Sequence, residues 1–227
     1  MLVKEWMTTD PITVTPDTSV MKASQIMKEN NIRRLPVVNE KGEVIGIVSD
    51  RDLKEASPSK ATTLDVHELY YLLSELKIKD IMTKKVITIS PEDTVEKAAV
   101  MMLEHRITGL PVVEDGRLVG ILSQGDVFRV LITITGVYRG GVQFAFALED
   151  RPGSIKEVAD VIRKYGGRII SILSSYDTCE GDCRHVYIRI ADLPEERLKA
   201  LTEELEREFT MLYMVKDELK ALRAGAS

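Results

Sequence analysis

Two seven-residue segments place the same reactive groups at the same spacing: Gly46-Ile47-Val48-Ser49-Asp50-Arg51-Asp52 and Gly120-Ile121-Leu122-Ser123-Gln124-Gly125-Asp126. Each ends in a carboxylate three residues after a serine. An ionised carboxylate accepts hydrogen bonds from two neighbouring hydroxyls, the pattern that a ribose presents. A serine hydroxyl donates to a phosphate oxygen, and a helix start favours negative groups. Asp52 and Asp126 are therefore candidate ribose acceptors, and Ser49 and Ser123 candidate phosphate donors. The plainer role for both aspartates is helix capping, which Asp fills without any ligand.

The similarity covers a whole unit. Met7-Thr8 returns as Met82-Thr83, Ile12-Thr13-Val14-Thr15-Pro16 as Ile87-Thr88-Ile89-Ser90-Pro91, and Leu35-Pro36-Val37-Val38 as Leu110-Pro111-Val112-Val113. The offset is 75 residues, falling to 74 where Asn39-Glu40-Lys41-Gly42 shortens to Glu114-Asp115-Gly116. Each copy reads as strand, helix, strand, strand, helix. Val20, Ala23, Ser24 and Met27, and Val95, Ala98, Ala99 and Met102, keep the three-and-four spacing of a buried helix face. Asp17-Thr18-Ser19 and Glu92-Asp93-Thr94 supply oxygens for the helix starts. The apolar strands 35–38 and 44–48, and 110–113 and 118–122, flank turns at Gly42 and Gly116, and second helices start near Asp50 and Gln124.

This unit resembles the cystathionine-β-synthase (CBS) domain, whose tandem pairs form a Bateman module with two clefts; the resemblance covers about residues 1–131. It implies an adenine nucleotide or adenosyl ligand, with Asp52, Asp126, Ser49 and Ser123 on ribose and phosphate and backbone at Thr13, Val14, Thr88 and Ile89 reading adenine. The copies differ at Arg33-Arg34 against Thr108-Gly109, so Arg33 or Arg34 can pair with a polyphosphate where Thr108 cannot. Otherwise these arginines are solvated surface. Ribose and adenine contacts are common to AMP, ADP, ATP, NAD and S-adenosylmethionine, which leaves the ligand open.

Between the copies, Leu69, Leu72, Leu73 and Leu76 keep helical spacing after Thr62 and Asp65, predicting an inserted helix within 57–77. After Gly136 a different pattern begins. The segment 142–148 alternates as a strand, Arg151-Pro152-Gly153 turns, and Ile155, Val158, Ala159 and Ile162 mark a helix. Residues 169–176 and 186–190 form a hairpin, 195–209 a helix after Pro194, and 211–215 a last strand. That βαββαβ order is ferredoxin-like and is similar to an ACT domain, a regulatory module that often pairs with a second copy and binds amino acids near the first strand-to-helix turn. Asp150, Pro152 and Gly153 are then a candidate small-ligand turn; its plainer role is connection alone. The inserted helix together with this tail resembles the acetoin-utilization B (AcuB) family, which implies a link to acetoin utilization. The expected fold is α+β: CBS repeats at 1–56 and 78–135, a linker helix at 57–77, and a ferredoxin-like, ACT-type domain at 136–227.

Other chemistry finds little footing. His67, His105 and His185 have no nucleophile or carboxylate motif around them. Cys179 and Cys183 with His185 fall short of four metal ligands, so two free thiols in a hairpin turn are expected and no metal. Met7, Met21, Met27, Met82, Met101 and Met102 read as core filling. Gly140-Gly141 and Gly166-Gly167 lack the spacing and lysine of a phosphate loop. The 227 residues are 44% hydrophobic and 30% charged, with net charge -5. No apolar run reaches the roughly 20 residues of a membrane span, and no basic cluster suits nucleic acid. The first repeat begins at once, so a cytoplasmic protein without a signal peptide is expected.

Together these readings predict a non-enzymatic, allosteric regulatory protein with no required cofactor. It would form a homodimer, sense an adenine compound and a second small molecule such as an amino acid, and act on a protein target that no residue names. The alternative is a ligand-free dimerisation scaffold.

Overall fold

The computed structural model describes residues 1–56, 75–177, 179 and 181–216. The chain folds as two compact units, Met1–Val127 and Phe128–Ser227. The expected linker helix falls, over 57–74, outside the described residues.

In the first unit α1 (Val20–Glu29) is capped by Ser19, whose Oγ accepts the Lys22 amide at 3.2 Å. Thr94 repeats this for α4 (Val95–Glu104), accepting from Lys97 at 3.1 Å. A side-chain oxygen at this position satisfies an amide that the helix leaves unpaired. Val20, Ala23 and Met27 of α1, and Val95, Ala98 and Met102 of α4, are buried, as their spacing requires. Strand β2 (Arg34–Val38) pairs antiparallel with β3 (Val44–Ser49), and β4 (Gly109–Glu114) with β5 (Arg117–Ser123). Their turns use Gly42 and Gly116 at φ 78° and 79°, a region that costs other residues a steric penalty. Each second helix, α2 (Asp50–Ala56) and α5 (Gln124–Thr135), starts on the residue after its strand.

The repeats exchange their leading segments. A short 3-10 turn, Val3–Glu5, begins the chain, yet Val3 is fully buried in the second repeat's core among Ile89, Ala98, Leu110, Val112 and Leu122, joined by Trp6 and Met7. Strand β1 (Thr8–Thr9) pairs with β5, Thr8 opposite Ile121 and Thr9 opposite Gly120. In return the short α3 (Ile78–Ile81) places Ile78 in the first repeat's core with Leu35, Val37, Val48 and Leu53. Thr83 bridges Ile47 through two hydrogen bonds of 3.0 Å. Burying Val3 and Ile78 contributes about 1.5–3 kcal/mol each, which ties the repeats together. Met21 departs from its expected core role: it is 40% exposed, because it lies off the Val20, Ala23 and Met27 face of α1.

The second unit runs β6 (Val142–Glu149), α6 (Ser154–Lys164), β7 (Ile169–Ser175), β8 (Cys183–Ile190), α7 (Glu195–Glu208) and β9 (Thr210–Lys216). All pairings are antiparallel, in the order β7-β8-β6-β9. Phe144, Phe146, Ile162, Ile188, Leu201 and Leu205 are fully buried between sheet and helices. Strand β8 begins at Cys183, earlier than its apolar run suggests, because Cys183, Arg184 and His185 continue the ladder against Glu149, Leu148 and Ala147. Glu204 of α7 is buried but satisfied, accepting from Lys164 Nζ at 2.6 Å and the Tyr165 hydroxyl at 2.6 Å.

The expectation of two free thiols is overturned: Cys179 and Cys183 form a disulfide. The β7–β8 hairpin brings their Cα atoms to 5.8 Å, within the reach of such a bridge. Spacing alone did not reveal that approach.

Candidate functional site

Ser49 closes β3 and Asp52 lies in the first turn of α2. Asp52 Oδ2 accepts both the Ser49 amide and the Ser49 hydroxyl at 2.7 Å, while the Asp52 amide donates to Ser49 Oγ at 3.3 Å. Ser123 and Asp126 repeat this at 2.8, 2.6 and 3.3 Å. Each pair is thus a reciprocal helix cap. The cap fastens one carboxylate oxygen from two directions and so fixes the orientation of the group. Both serine hydroxyls already donate to their aspartates, so a phosphate would have to compete for them. Asp126 is 4% exposed and Asp52 is half-buried.

The four first-strand positions divide into two kinds. Val14 donates its amide to Pro36 O at 3.1 Å, its carbonyl accepts from the Val38 amide at 3.0 Å, and its side chain is buried. Ile89 does the same with Pro111 and Val113, at 3.1 and 2.9 Å. Thr13 and Thr88 alternate with them and are exposed; among the described residues neither backbone amide nor carbonyl of these two is engaged. In an extended chain successive residues turn their polar groups to opposite sides, so the groups open to a ligand belong to Thr13 and Thr88.

The chain exchange joins these parts across the repeats. The segment carrying Thr13 leaves the β5 edge at Gly120, three residues before Ser123, and runs to β2. The segment carrying Thr88 leaves Ile47, two residues before Ser49, and runs to β4.

The two arginines diverge. Arg33 is exposed in a groove of α1 and α2, beside Met21, Gln25, Lys28 and Lys54. Arg34 is half-buried and donates to the Thr108 hydroxyl of the second repeat. Burial pushes its guanidinium below its ordinary value, opposed by the charge of Asp50 and then of Asp126.

In the second unit, Asp150 donates its amide to Asp182 O at 3.1 Å, and its carboxylate lies 3.5 Å from Arg184 Nε. Pro152 and Gly153 are exposed, with Gly153 at φ 93° ahead of α6. Arg151 is held by Glu157 at 2.7 and 2.8 Å and by Glu149 at 2.9 Å, and these bonds keep it above its ordinary value. The cation at this turn is therefore already neutralised. Among the described residues no three His, Cys, Asp or Glu side chains gather as a metal site, and no helix is long and apolar enough to cross a membrane.

The family model that matches is the CBS domain, over residues 3–59 and 78–133. A CBS domain-containing protein of Bacillus subtilis is 32% identical over 124 residues, covering 55% of this chain and 81% of its own. L-aspartate semialdehyde sulfurtransferase of Methanocaldococcus jannaschii is 34% identical over 130 residues, covering 57% of this chain but only 23% of that enzyme. Among solved structures, a Vibrio cholerae protein described as an acetoin utilization protein (AcuB) is 28% identical, covers 60% of this chain and 94% of its own, and has a TM-score of 0.51. The structure of CBSX2 in complex with AMP is 33% identical over 59% of this chain and 98% of its own, with a TM-score of 0.49. The repeat, the two matched segments of the family model and the Bacillus subtilis relative have one conclusion: the chain belongs to the CBS-domain family and carries a tandem pair of CBS domains.

Proposed function

We propose that the CBS pair binds an adenine nucleotide or adenosyl compound and that the protein is a non-enzymatic regulator. One observation carries this reading: a carboxylate fixed by its own serine occurs twice, each time in the helix turn after a strand that is joined by a segment with an open threonine backbone. Asp52 and Asp126 hold ribose hydroxyls, and Thr13 and Thr88 offer the amide and carbonyl that adenine needs. Ser49 and Ser123 keep the carboxylates oriented, and Val14 and Ile89 anchor the segments.

We assign 1–56 and 78–135 to the repeats, 57–77 to a linker and 136–227 to a ferredoxin-like, ACT-type domain that signals onward, with Asp150, Pro152 and Gly153 at its candidate ligand turn. A ligand shifts the arrangement of the repeats by its differential affinity for two states, typically about 1–3 kcal/mol. The likeness to the Vibrio cholerae protein supports a role in acetoin utilization, and it rests on the repeats. Exposed apolar residues on β9, Leu212, Tyr213, Met214 and Val215, favour a homodimer, and with it the second reading of a dimerisation scaffold.

Thermal-shift titration against AMP, ADP, ATP, NAD and S-adenosylmethionine separates the two. A sensor gains melting temperature with at least one compound, because a ligand of the folded state stabilises it by mass action. A scaffold gains none.

A further inference from the structure

We propose that the Cys179–Cys183 bridge is a reversible redox switch: thiol reductants open it by disulfide exchange, and its opening loosens the turn between β6 and α6, residues 149–154. Such a switch acts whether or not that turn holds a ligand, and it needs nothing of the two clefts of the CBS pair.

Pairing of β7 with β8 ends at Ser175 opposite His185, whereas β8 runs on against β6 to Cys183 opposite Glu149. Past Ser175 the two arms of the hairpin are tied by the bridge and by Arg184 Nη1, which donates to the Tyr176 hydroxyl at 3.4 Å. The same stretch supports the turn. Asp182 lies between the two cysteines in the chain, and its carbonyl accepts the Asp150 amide at 3.1 Å. Arg184, next to Cys183, donates through Nη2 to Ser154 Oγ at 3.1 Å and sets its Nε 3.5 Å from the Asp150 carboxylate. Ser154 is 4% exposed and passes the contact on by donating to the Arg151 carbonyl at 3.1 Å. The turn thus rests on one residue inside the bridged loop and one beside it.

Two features make the bridge exchangeable. The cysteines are four positions apart, and so short a loop restricts the unfolded chain little, so folding protects this bridge from reduction less than it protects one that closes a long loop. Both cysteines are half-buried, and Asp177, Gly181 and Asp182 around them are exposed, so a thiolate can reach a sulfur. The thiolate of a reductant attacks one Sγ; the bond between the cysteines breaks, a mixed disulfide forms, and the other cysteine leaves as a thiolate and takes a proton. A second reductant thiolate attacks the reductant's sulfur in that mixed disulfide, which frees the remaining cysteine to take a proton and leaves the reductant as its own disulfide. Two electrons and two protons thereby pass to the pair. The ladder up to Ser175 and His185 keeps the arms side by side, so the reverse exchange can close the bridge again.

The test equilibrates the full chain, without denaturant, in buffers of varied reduced-to-oxidised glutathione ratio. The chain has two cysteines, so acid quenching, alkylation and mass spectrometry count the opened bridge directly. The opened fraction should rise with the ratio and fall again when oxidised glutathione is restored, with circular dichroism unchanged. Hydrogen–deuterium exchange is then compared between the bridged and reduced proteins. Reduction should speed exchange in the peptide covering 149–154 by about tenfold, the effect of losing one hydrogen bond, and leave the peptide covering 142–148 unchanged. A Cys179→Ser, Cys183→Ser double variant should exchange fast at 149–154 in every buffer, and Arg184→Ala should do so with its bridge intact. A bridge that excess reduced glutathione opens only after unfolding would overturn the proposal, as would a reduced protein that unfolds altogether, since either makes the bridge a structural staple. Faster exchange confined to 176–184, with 149–154 unmoved, would overturn the link to the turn.

Discussion

Met82, carried by the second repeat's leading segment, lies against the bare Cα of Gly46 in the first: a Cβ there would stand 3.0 Å from Met82 Cγ. Met7 meets Gly120 in the same way, also at 3.0 Å, and there the Thr8 carbonyl oxygen is equally close. The glycine that opens each seven-residue repeat is thus the seat of the other repeat's methionine. A methionine side chain can yield, whereas a backbone carbonyl cannot. Gly120→Ala should therefore cost more than Gly46→Ala, within the about 1–3 kcal/mol of overpacking. Urea denaturation of the two variants measures this; equal losses would contradict the Thr8 carbonyl as the harder neighbour, and no loss in either would contradict the exchange as the reason for these glycines.

The Cys179–Cys183 bridge predicts that the protein as folded reacts with no thiol reagent at these residues before reduction. Closing so short a loop restricts the unfolded chain by about 2 kcal/mol. Melting temperature should fall on adding dithiothreitol, and a Cys179→Ser, Cys183→Ser double variant should show no further response. A parent protein indifferent to reductant would remove the bridge from the account.

Glu204 predicts part of the acid response. Hydrogen bonds from Lys164 and Tyr165 hold its carboxyl below the usual range. A group with a lowered folded pKa lends stability above its unfolded value, about 4.3, and loses it as pH falls through the folded value. Between neutral pH and about pH 5 the stability difference between parent and Glu204→Gln should be constant; below about pH 4.3 it should shrink. Denaturant melts at pH 7, 5, 4 and 3 check this, and a constant difference down to pH 3 would contradict it.

Capping and ligand binding can be separated at the serines. Ser123→Ala removes one acceptor and one donor at the start of α5 and should cost about 1 kcal/mol. It should also weaken an adenine ligand, since Asp126 then loses a bond that orients it, while Asp126→Ala should remove that cleft's binding. If Ser123→Ala and Asp126→Ala affect stability alone, the pair is only a cap.

Much of this architecture was legible in the sequence because it is local. Ser19 and Thr94 cap where their spacing said they would, and α2 and α5 begin at Asp50 and Gln124. The exchange of leading segments was not legible, since an apolar residue such as Val3 or Ile78 satisfies the same pattern in either repeat's core. The division between Thr13 and Val14 needed the bridge to β2 before it showed which backbone groups are spent. The contrast of Arg34 with Gly109 was visible as a difference between copies, but only the fold brings the arginine to Thr108 of the second repeat. Cys183 read as a loop residue because the strand that holds it is polar there.

The most direct test of adenine binding is calorimetric titration of AMP and of S-adenosylmethionine into the parent and into an Asp52→Ala, Asp126→Ala double variant whose circular dichroism matches the parent. The account predicts saturable binding of at least one compound by the parent and its loss in the double variant. Unchanged binding in the double variant would contradict it, as would a parent that binds neither these two nor ADP, ATP or NAD.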